Sequence, residues 1–328
     1  NRAADGRQVL LSANDIYASI PAPQSLASGQ TVFAGFLASA ATGNLVVSGV
    51  DNDVIVPALT GQTVSTITVI PGTPDRTIVL LSGETLVPGK NVAPFGVTGV
   101  PVESTVTVSF NATVYASDSR YNATANPVTD GSSINMLSSD PFVPTIGAPV
   151  TLAAGVASVS LIQLHTAGAR TLTAVHVGGG GPALSNGVSN SFNLLPFTPT
   201  RLRTLTPTET RVPGSPTNGR SAAPFTASAG FVFNVTVDIT DAFWNLTPGV
   251  TQEIRLVADD PFAVIVPTTQ VITTSATYTV TLKRAGTTIL RSERVNVLSS
   301  PPLSSDNSTP ITVQAGPPTR LVAILPGE

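Results

Sequence analysis

The sequence predicts an all-β protein made of β-sandwiches in tandem, and three observations support this prediction. Apolar and polar residues alternate along several stretches, 27 glycines and 28 prolines are scattered through 328 residues, and blocks of sequence recur. Alternation is typical of strands, and closely spaced glycine and proline leave little room for long helices. The recurrence, at intervals of about 120 residues, matches the size of one sandwich with generous loops.

Residues 105–114 show the clearest alternation, because every second residue is apolar and Thr, Ser or Asn stands between. Residues 171–177, 231–239 and 292–297 follow related patterns. A strand of this kind buries one face in a core and exposes the other face to water. We therefore expect short strands separated by turns, and almost no helix.

Two series of sequence blocks recur in one order along the chain. Members of the first series are apolar stretches that end in Asp-x-aromatic: residues 9–17, 134–142 and 254–262. Members of the second series read Thr or Pro, then Pro-x-Arg, before an apolar stretch and a glutamate: residues 73–76, 198–201 and 317–320. Separate blocks in one order at nearly one spacing indicate a repeated structural unit.

Several of these blocks resemble the bacterial immunoglobulin-like repeats of large cell-surface proteins, a class that includes the invasin and intimin type of adhesin stalk. They are NVTVDITDAFWN at 234–245, IRLVADDPF at 254–262, LKRAGTT at 282–288 and ITVQAGPPTRLVAILPGE at 311–328. The resemblance covers essentially the whole chain. It implies immunoglobulin-like sandwiches strung end to end as spacers at an extracellular or cell-surface location, with no shared catalytic residues.

In that class the Pro-x-Arg block opens the first strand of a domain, which gives the expected domain limits. Residues 73–197 and 198–316 are then two complete domains, and residues 317–328 are the first strand of a following domain. Residues 1–72 are a partial domain that lacks its first two strands. Two explanations stay open: the chain is a window in a longer protein, or a neighbouring subunit donates the missing strands.

Composition excludes several classes of function. The net charge is −3, with 16 Lys and Arg against 19 Asp and Glu, so no basic surface for nucleic acid is expected. Cysteine is absent, which removes disulfides and thiol catalysis. No stretch approaches the roughly 18 to 20 apolar residues that a membrane-spanning helix needs.

Residues able to carry catalysis are few. His165 and His176 are expected to be exposed strand residues, because no partners for a metal or a general base accompany them. The glycine-rich residues 178–182 lack the Lys and the Ser or Thr of a phosphate-binding loop, and indicate a hairpin loop. We therefore predict no catalytic, cofactor-binding or metal-binding residues, and no enzyme activity.

Repeated acidic and amide residues stand near predicted turns, where they stabilise the local backbone. They are Asp118, Asn122, Asp140 and their counterparts Asp241, Asn245 and Asp260. Asp and Asn favour turns for their own backbone hydrogen bonds, and the alternative is calcium binding by oxygen-rich loops. Calcium would need more ligands than each cluster supplies, so no cofactor is predicted.

Two further interpretations stay open on surface residues. Sequons for N-glycosylation occur at Asn111, Asn122, Asn234, Asn245 and Asn307. Trp244 and its counterpart Tyr121 are predicted to plug the end of a sandwich core, with carbohydrate stacking as the alternative.

The prediction of function is an extracellular structural protein, a stalk, fibre or surface-layer component, without catalysis. Prolines at the expected boundaries, such as Pro74 and Pro199, would limit bending there. Its expected partners are neighbouring repeats or copies of the same protein, with strand donation as one route. The alternatives are an adhesin that binds glycans or a partner protein through loops of one repeat, and an accessory domain of an enzyme.

Overall fold

The structure, a computed structural model, describes residues 6–53, 58–123, 129–179, 181–222, 224–296, 298–318 and 321. All regular structure in these ranges is β-strand, which confirms the predicted all-β class. No helix among the described residues has the length and apolarity that crossing a membrane requires. We call residues 6–72, 73–197 and 198–316 the first, second and third segments; these domain limits stay a prediction.

The first segment forms one antiparallel sheet in the order β2-β1-β3-β4. Its strands are β1 (Gln8–Ala13), β2 (Gln24–Ser25), β3 (Ala41–Asp51) and β4 (Gln62–Val69). The central pair is in register from Val9 opposite Asp51 to Ala13 opposite Val47. Val9, Leu10 and Leu11 are only half-buried, because no second layer among the described residues covers this sheet.

The second segment is a two-layer sandwich. Its strands are β5 (Arg76–Leu81), β6 (Glu84–Leu86), β7 (Val97–Gly99), β8 (Ser104–Thr105), β9 (Phe110–Ser117), β10 (Ser133–Ser138), β11 (Thr145–Thr151), β12 (Val156–Ile162), β13 (Gly168–Arg170), β14 (Leu172–Gly178), β15 (Gly187–Val188) and β16 (Phe192–Leu195). Sheet β12-β9-β5 forms one layer, and sheets β11-β10-β14-β15 and β13-β16-β8 form the other. Strands β6 and β7 form a separate hairpin ladder.

The third segment repeats this arrangement. Its strands are β17 (Arg201–Leu205), β18 (Thr226–Ser228), β19 (Val232–Thr240), β20 (Gln252–Ala258), β21 (Val264–Val266), β22 (Thr269–Ile272), β23 (Ser275–Thr281), β24 (Gly286–Thr288), β25 (Leu290–Arg294), β26 (Asp306–Asn307) and β27 (Ile311–Gln314). Sheet β17-β19-β23-β21 faces sheets β22-β20-β25-β26 and β18-β27-β24. Residues 319–320 and 322–328 of the expected further strand lie outside the described residues.

Each sandwich has its own apolar core between the layers. In the second segment Val114 and Ala116 of β9 meet Met136 of β10 and Leu194 of β16. In the third segment the apolar face of β19 is Phe233, Val235, Val237 and Ile239, and all four side chains are buried. The alternation that the sequence shows in residues 231–239 agrees with burial as far as Val237, with Asn234 facing water, whereas the polar Asp238 is buried.

The prediction of a single strand through residues 105–114 is wrong. Strand β8 ends at Thr105, the chain turns at Thr107, whose φ of 65° lies in the left-handed region, and β9 begins at Phe110. Val106 is fully buried whereas Val108 is 46% exposed, so the two do not share a face. The break lets the chain pass from the layer that contains β16 to the opposite layer, which one straight strand could not do.

Candidate functional site: the junctions between segments

A tight corner follows the strand β9 and the equivalent strand β19, and it carries the residues that join neighbouring segments. Asp118 and Asn122 form the first corner, and Asp241 and Asn245 form the second. The residues before the two asparagines, Tyr121 and Trp244, have φ of 63° and 62°. A left-handed residue at this point turns the chain sharply enough to bring the asparagine back towards the aspartate.

The aspartate of each corner holds the turn together. In the second corner Asp241 Oδ1 accepts hydrogen bonds from the backbone N–H groups of Phe243 at 2.8 Å and Asn245 at 3.0 Å. The amide Nδ2 of Asn245 donates to Asp241 Oδ2 at 3.0 Å. Asp118 and Asn122 make the same side-chain bond at 2.9 Å. The asparagine side chain is therefore held in one orientation before it contacts another segment.

A second aspartate shapes the loop that receives the asparagine. Asp140 Oδ2 accepts from the backbone N–H groups of His165 at 2.7 Å and Thr166 at 2.8 Å, and Oδ1 accepts from Thr166 Oγ1. Asp15 makes the corresponding bonds to Ala38 and Ser39. We call residues 38–40 and 165–167 the receiving loops.

The asparagine side chain binds a receiving loop through both ends of its amide. Asn245 Nδ2 donates to the carbonyl oxygen of His165 at 2.8 Å, and its Oδ1 accepts from the N–H of Ala167 at 2.9 Å. Asn122 binds the carbonyl of residue 38 at 2.9 Å and the N–H of residue 40 at 2.8 Å. We call each pair of bonds an amide junction. Because one amide satisfies a donor and an acceptor two residues apart, its geometry fixes the position of the loop.

A third bond ties each corner to the chain just before its own segment. Phe197 N donates to Asp241 Oδ2 at 3.0 Å, and Gly72 N donates to Asp118 Oδ2 at 2.8 Å. Phe197 and Gly72 precede the recurrent Pro-x-Arg blocks of the sequence. Each junction therefore fixes both the receiving loop and the connecting chain.

Van der Waals contacts close the junctions. Gly214 lies so near Thr166 that a Cβ at position 214 would come within 1.9 Å of Thr166 Oγ1. Gly89 approaches Ser39 in the same way, and Ser39 Oγ donates to the carbonyl of Pro88 at 3.0 Å. Glycine is needed at both positions because any larger residue would separate the segments.

Aromatic contacts differ between the two junctions although the backbone bonds do not. The rings of His165 and Phe243 stack with centroids 4.0 Å apart. At the first junction Arg120 occupies the position of Phe243, and its guanidinium lies 3.6 Å from the centroid of Phe36. The side chains vary, so the conserved elements of the two junctions are the asparagine, the aspartates and the glycine.

Hydrogen bonding keeps Asp118 and Asp140 ionised. Burial raises the pKa of Asp118, but bonds from Asn122, Gly72 and Arg120 outweigh it and hold that pKa below the usual 3.8. The pKa of Asp140 is lowered as well, because bonds from Thr166 and neighbouring N–H groups outweigh its burial. A charged acceptor forms stronger hydrogen bonds than a neutral one, which favours ordered corners at neutral pH.

The third segment has a buried ion pair directly behind its corner. Arg203 is fully buried, and its Nη2 donates to Asp238 Oδ2 at 2.7 Å. Arg203 Nη1 donates to the carbonyl of Trp244 at 2.8 Å, so the ion pair supports the residue that precedes Asn245. In the second segment the same cross-strand positions hold Ile78 and Tyr115.

The structure places the residues singled out from the sequence as follows. His165 is half-buried in a junction and lies outside any strand, so the prediction that it is an exposed strand residue is wrong. His176 lies half-buried on β14. Trp244 is 7% exposed, and its Nε1 donates to Thr217, in keeping with a plug at the sandwich end.

The contacts of the aspartates and of the sequon asparagines bear on the alternatives of calcium binding and glycosylation. The oxygens of Asp118, Asp140 and Asp241 accept N–H bonds, and no group of three or more His, Asp or Glu suited to a metal ion occurs in the described ranges. Asn122 and Asn245 are 2% and 1% exposed with their Nδ2 atoms engaged, which blocks glycan attachment in the folded chain. The exposed sequons are Asn111, Asn234 and Asn307.

No protein-family model matches the sequence, and no curated protein matches it. Solved structures with similar folds include a β-glycosidase from Bacteroides vulgatus, with a TM-score of 0.27 and 10% identity over 74% of this chain and 25% of that one. Domains 1–6 of the surface layer protein SbsC give a TM-score of 0.24 and 13% identity over 95% of this chain and 36% of that one.

The Escherichia coli adhesin FdeC gives a TM-score of 0.30 and 13% identity, covering 82% of this chain and 74% of that one. The chain spans 25% and 36% of the lengths of the glycosidase and SbsC structures. These likenesses are too low to transfer an activity from any of the three proteins.

Proposed function

We propose that this chain is a mechanical spacer of an extracellular bacterial structure, a stalk, fibre or surface-layer component built from repeats of the invasin and intimin kind. In this proposal it catalyses nothing. The observation that carries the proposal is the pair of matching amide junctions, in which Asn122 and Asn245 each bind both polar groups of a receiving loop.

The junctions support a spacer because they restrict the angle between segments. A flexible linker would leave neighbouring sandwiches free to rotate, whereas here five contacts meet within a few residues: two amide bonds, a linker bond, a glycine contact and a ring contact. The buried asparagine cannot leave its loop without losing bonds to a peptide N–H and a peptide C=O. A spacer of this kind transmits force and keeps a fixed length.

Self-association is part of the proposal and draws on the first segment. Its single described sheet leaves Val9 and Leu11, which share one face of β1, half-buried where the second segment buries the equivalent Ile134 and Met136 under a second layer. We propose that strands of the same repeat class cover this face, from adjoining chain or from a second copy. Sedimentation velocity of the chain with and without residues 317–328 tests donation by a copy, since removal of a donor would abolish the oligomer.

Adhesion is a second candidate, favoured by one feature of the second segment. Phe95 and Tyr121 stack with centroids 5.2 Å apart beside a cleft of about 350 Å³, which Arg76 and Asn190 also line. An aromatic pair next to polar groups suits the flat face of a sugar ring. A glycan array compared between the chain and Phe95→Ala would reveal such binding as spots lost in the variant.

The spacer function predicts a rigid junction, which a distance measurement between two segments can test. The chain contains no cysteine, so cysteines placed at the exposed Ser158 and Thr269 would carry spin labels without competing sites. Pulsed electron resonance should give one narrow distance distribution between the second and third segments. Asn245→Ala should broaden it at least about twofold, because the segments lose their shared hydrogen bonds.

Asn234→Ala is the matched control, since Asn234 is an exposed asparagine of the same segment outside the junction. Its distance distribution should equal that of the unmodified chain. A broad distribution in the unmodified chain, or no change in Asn245→Ala, would contradict the spacer function.

A further inference from the structure

The third segment carries a receiving loop of its own. Asp260 Oδ2 accepts from the backbone N–H groups of Lys283 at 2.6 Å and Arg284 at 3.0 Å, and its Oδ1 accepts from Phe262. These are the bonds that Asp15 and Asp140 make to the first two receiving loops. Residues 283–285 are therefore held in the backbone arrangement that an asparagine amide binds elsewhere in the chain.

Two polar groups of this third loop, the carbonyl of Lys283 and the N–H of Ala285, have no hydrogen-bond partner among the described residues. The carbonyl of Lys283 and the N–H of Ala285 correspond to the groups bound by Asn122 and Asn245, and residues 283–285 are all exposed. Their counterparts 38–40 and 165–167 are buried or half-buried. Gly316, the counterpart of Gly72 and Phe197, is also exposed, and no bond from its N–H occurs in the described ranges.

We propose that the loop 283–285, together with the N–H of Gly316, is a docking site for a further immunoglobulin-like domain. Such a domain would present an Asp-x-x-x-Asn corner, with its asparagine amide on Lys283 and Ala285 and its aspartate on Gly316. The inference deepens the proposed spacer function, because it names the partner and the groups that recognise it.

Charge and shape define this partner more closely. Lys283 is the equivalent of His165, whose ring stacks on Phe243. An aromatic or acidic residue two positions before the partner's asparagine would therefore complement the ammonium group of Lys283. Arg284 is the equivalent of Thr166, which lies against Gly214, so the partner needs a small residue at the position equivalent to Gly214. A second copy of this chain does not fit, since Asn122 and Asn245 are already engaged inside each copy.

Hydrogen exchange of single backbone amides tests the site. In the 328-residue chain we expect Ala40 and Ala167 to exchange at least about 100-fold more slowly than Ala285, because only the first two amides are bound. A second protein would carry a copy of residues 210–316 fused after Glu328, which corresponds to Glu209. In this extended chain Ala285 should become as protected as Ala167.

Two variants of the extended chain make the assignment specific. Alanine in place of the appended counterpart of Asn245 should return Ala285 to fast exchange, while alanine at the appended counterpart of Asn234 should leave it protected. The added tryptophan, the counterpart of Trp244, reports by its fluorescence that the appended domain has folded.

The possible failures are distinguishable. Fast exchange at Ala285 in an extended chain whose appended domain is folded overturns the docking site, while protection of Ala167 leaves the spacer function standing. Fast exchange at Ala167 in the 328-residue chain would instead overturn the amide junction itself. Concentration-dependent protection of Ala285 in the 328-residue chain would assign the site to a second copy and also overturn the inference.

Discussion

The imidazole ring of His165 stacks on the ring of Phe243 with their centroids 4.0 Å apart and their planes 25° apart. The two residues belong to different segments, and the carbonyl of the same histidine accepts the Nδ2–H of Asn245. One residue thus contributes a side-chain contact that varies between junctions and a backbone contact that does not. The two contributions can be separated by mutation.

His165→Ala should lower the free energy of unfolding by only about 0.5–1.5 kcal/mol, since it removes a ring stack and leaves both amide bonds in place. The first junction has Ala38 at the same position and keeps its amide bonds. Urea denaturation followed by fluorescence measures the loss. A loss as large as that of Asn245→Ala would show that the ring, and not the backbone, holds the junction.

Gly214→Ala should separate the second and third segments without unfolding either core. A Cβ at position 214 would overlap Thr166, and the φ of 83° adds backbone strain. Gly249→Ala is the matched control, because its φ of 88° carries similar strain with no atom within 4 Å of the new Cβ. Small-angle scattering should show a wider range of shapes for Gly214→Ala alone, and equal profiles for both variants would contradict the prediction.

Acid should weaken the second junction through Asp140. Its pKa in the folded chain lies below the 3.8 of an unfolded chain, so its stabilisation is complete above that value and is lost as the pH falls through the folded pKa. The difference in unfolding free energy between the unmodified chain and Asp140→Asn should be constant from pH 5 to 7 and shrink below about pH 4. Denaturation midpoints at several pH values measure it, and a difference that grows in acid would show the opposite linkage.

Asp238→Ala should lower the free energy of unfolding by about 3–5 kcal/mol, because it leaves Arg203 charged and buried without its partner. The double variant Arg203→Ile with Asp238→Tyr installs the pair that the second segment has at these positions, Ile78 opposite Tyr115. It should recover at least about half of the loss, since no unpaired buried charge remains. A double variant less stable than Asp238→Ala would mean that the network is needed for its bonds to the Trp244 carbonyl.

Much of the fold could be predicted from the sequence because its signals are local. Alternation along residues 231–239 marks the strand β19, and the apolar residues 233, 235, 237 and 239 face the core. The break at Thr107 could not be predicted, because alternation continues through it and the change of layer depends on tertiary packing. Alternation reports that a residue is apolar, and not which of two layers it packs against.

The site was only partly visible in the sequence. The recurrence of Asp118 with Asn122 and of Asp241 with Asn245 marked them as turn residues, which they are. Their second role, binding a loop about 80 residues earlier in the chain, left one signal: the glycines at 89 and 214 recur with them. The buried pair of Arg203 and Asp238 left no signal in the sequence, because a charged residue in a strand is normally predicted to face solvent.

The amide junction uses only backbone atoms of the receiving loop, and this has a consequence for how such a protein changes over generations. Ala38, His165 and Lys283 differ in size, charge and ring character, yet each can offer its carbonyl in the same place. A repeat that is duplicated or moved within the gene would therefore find a receiving loop with the same backbone groups at its new position. The length of the protein could change by whole repeats while the backbone hydrogen bonds of each new junction stay the same.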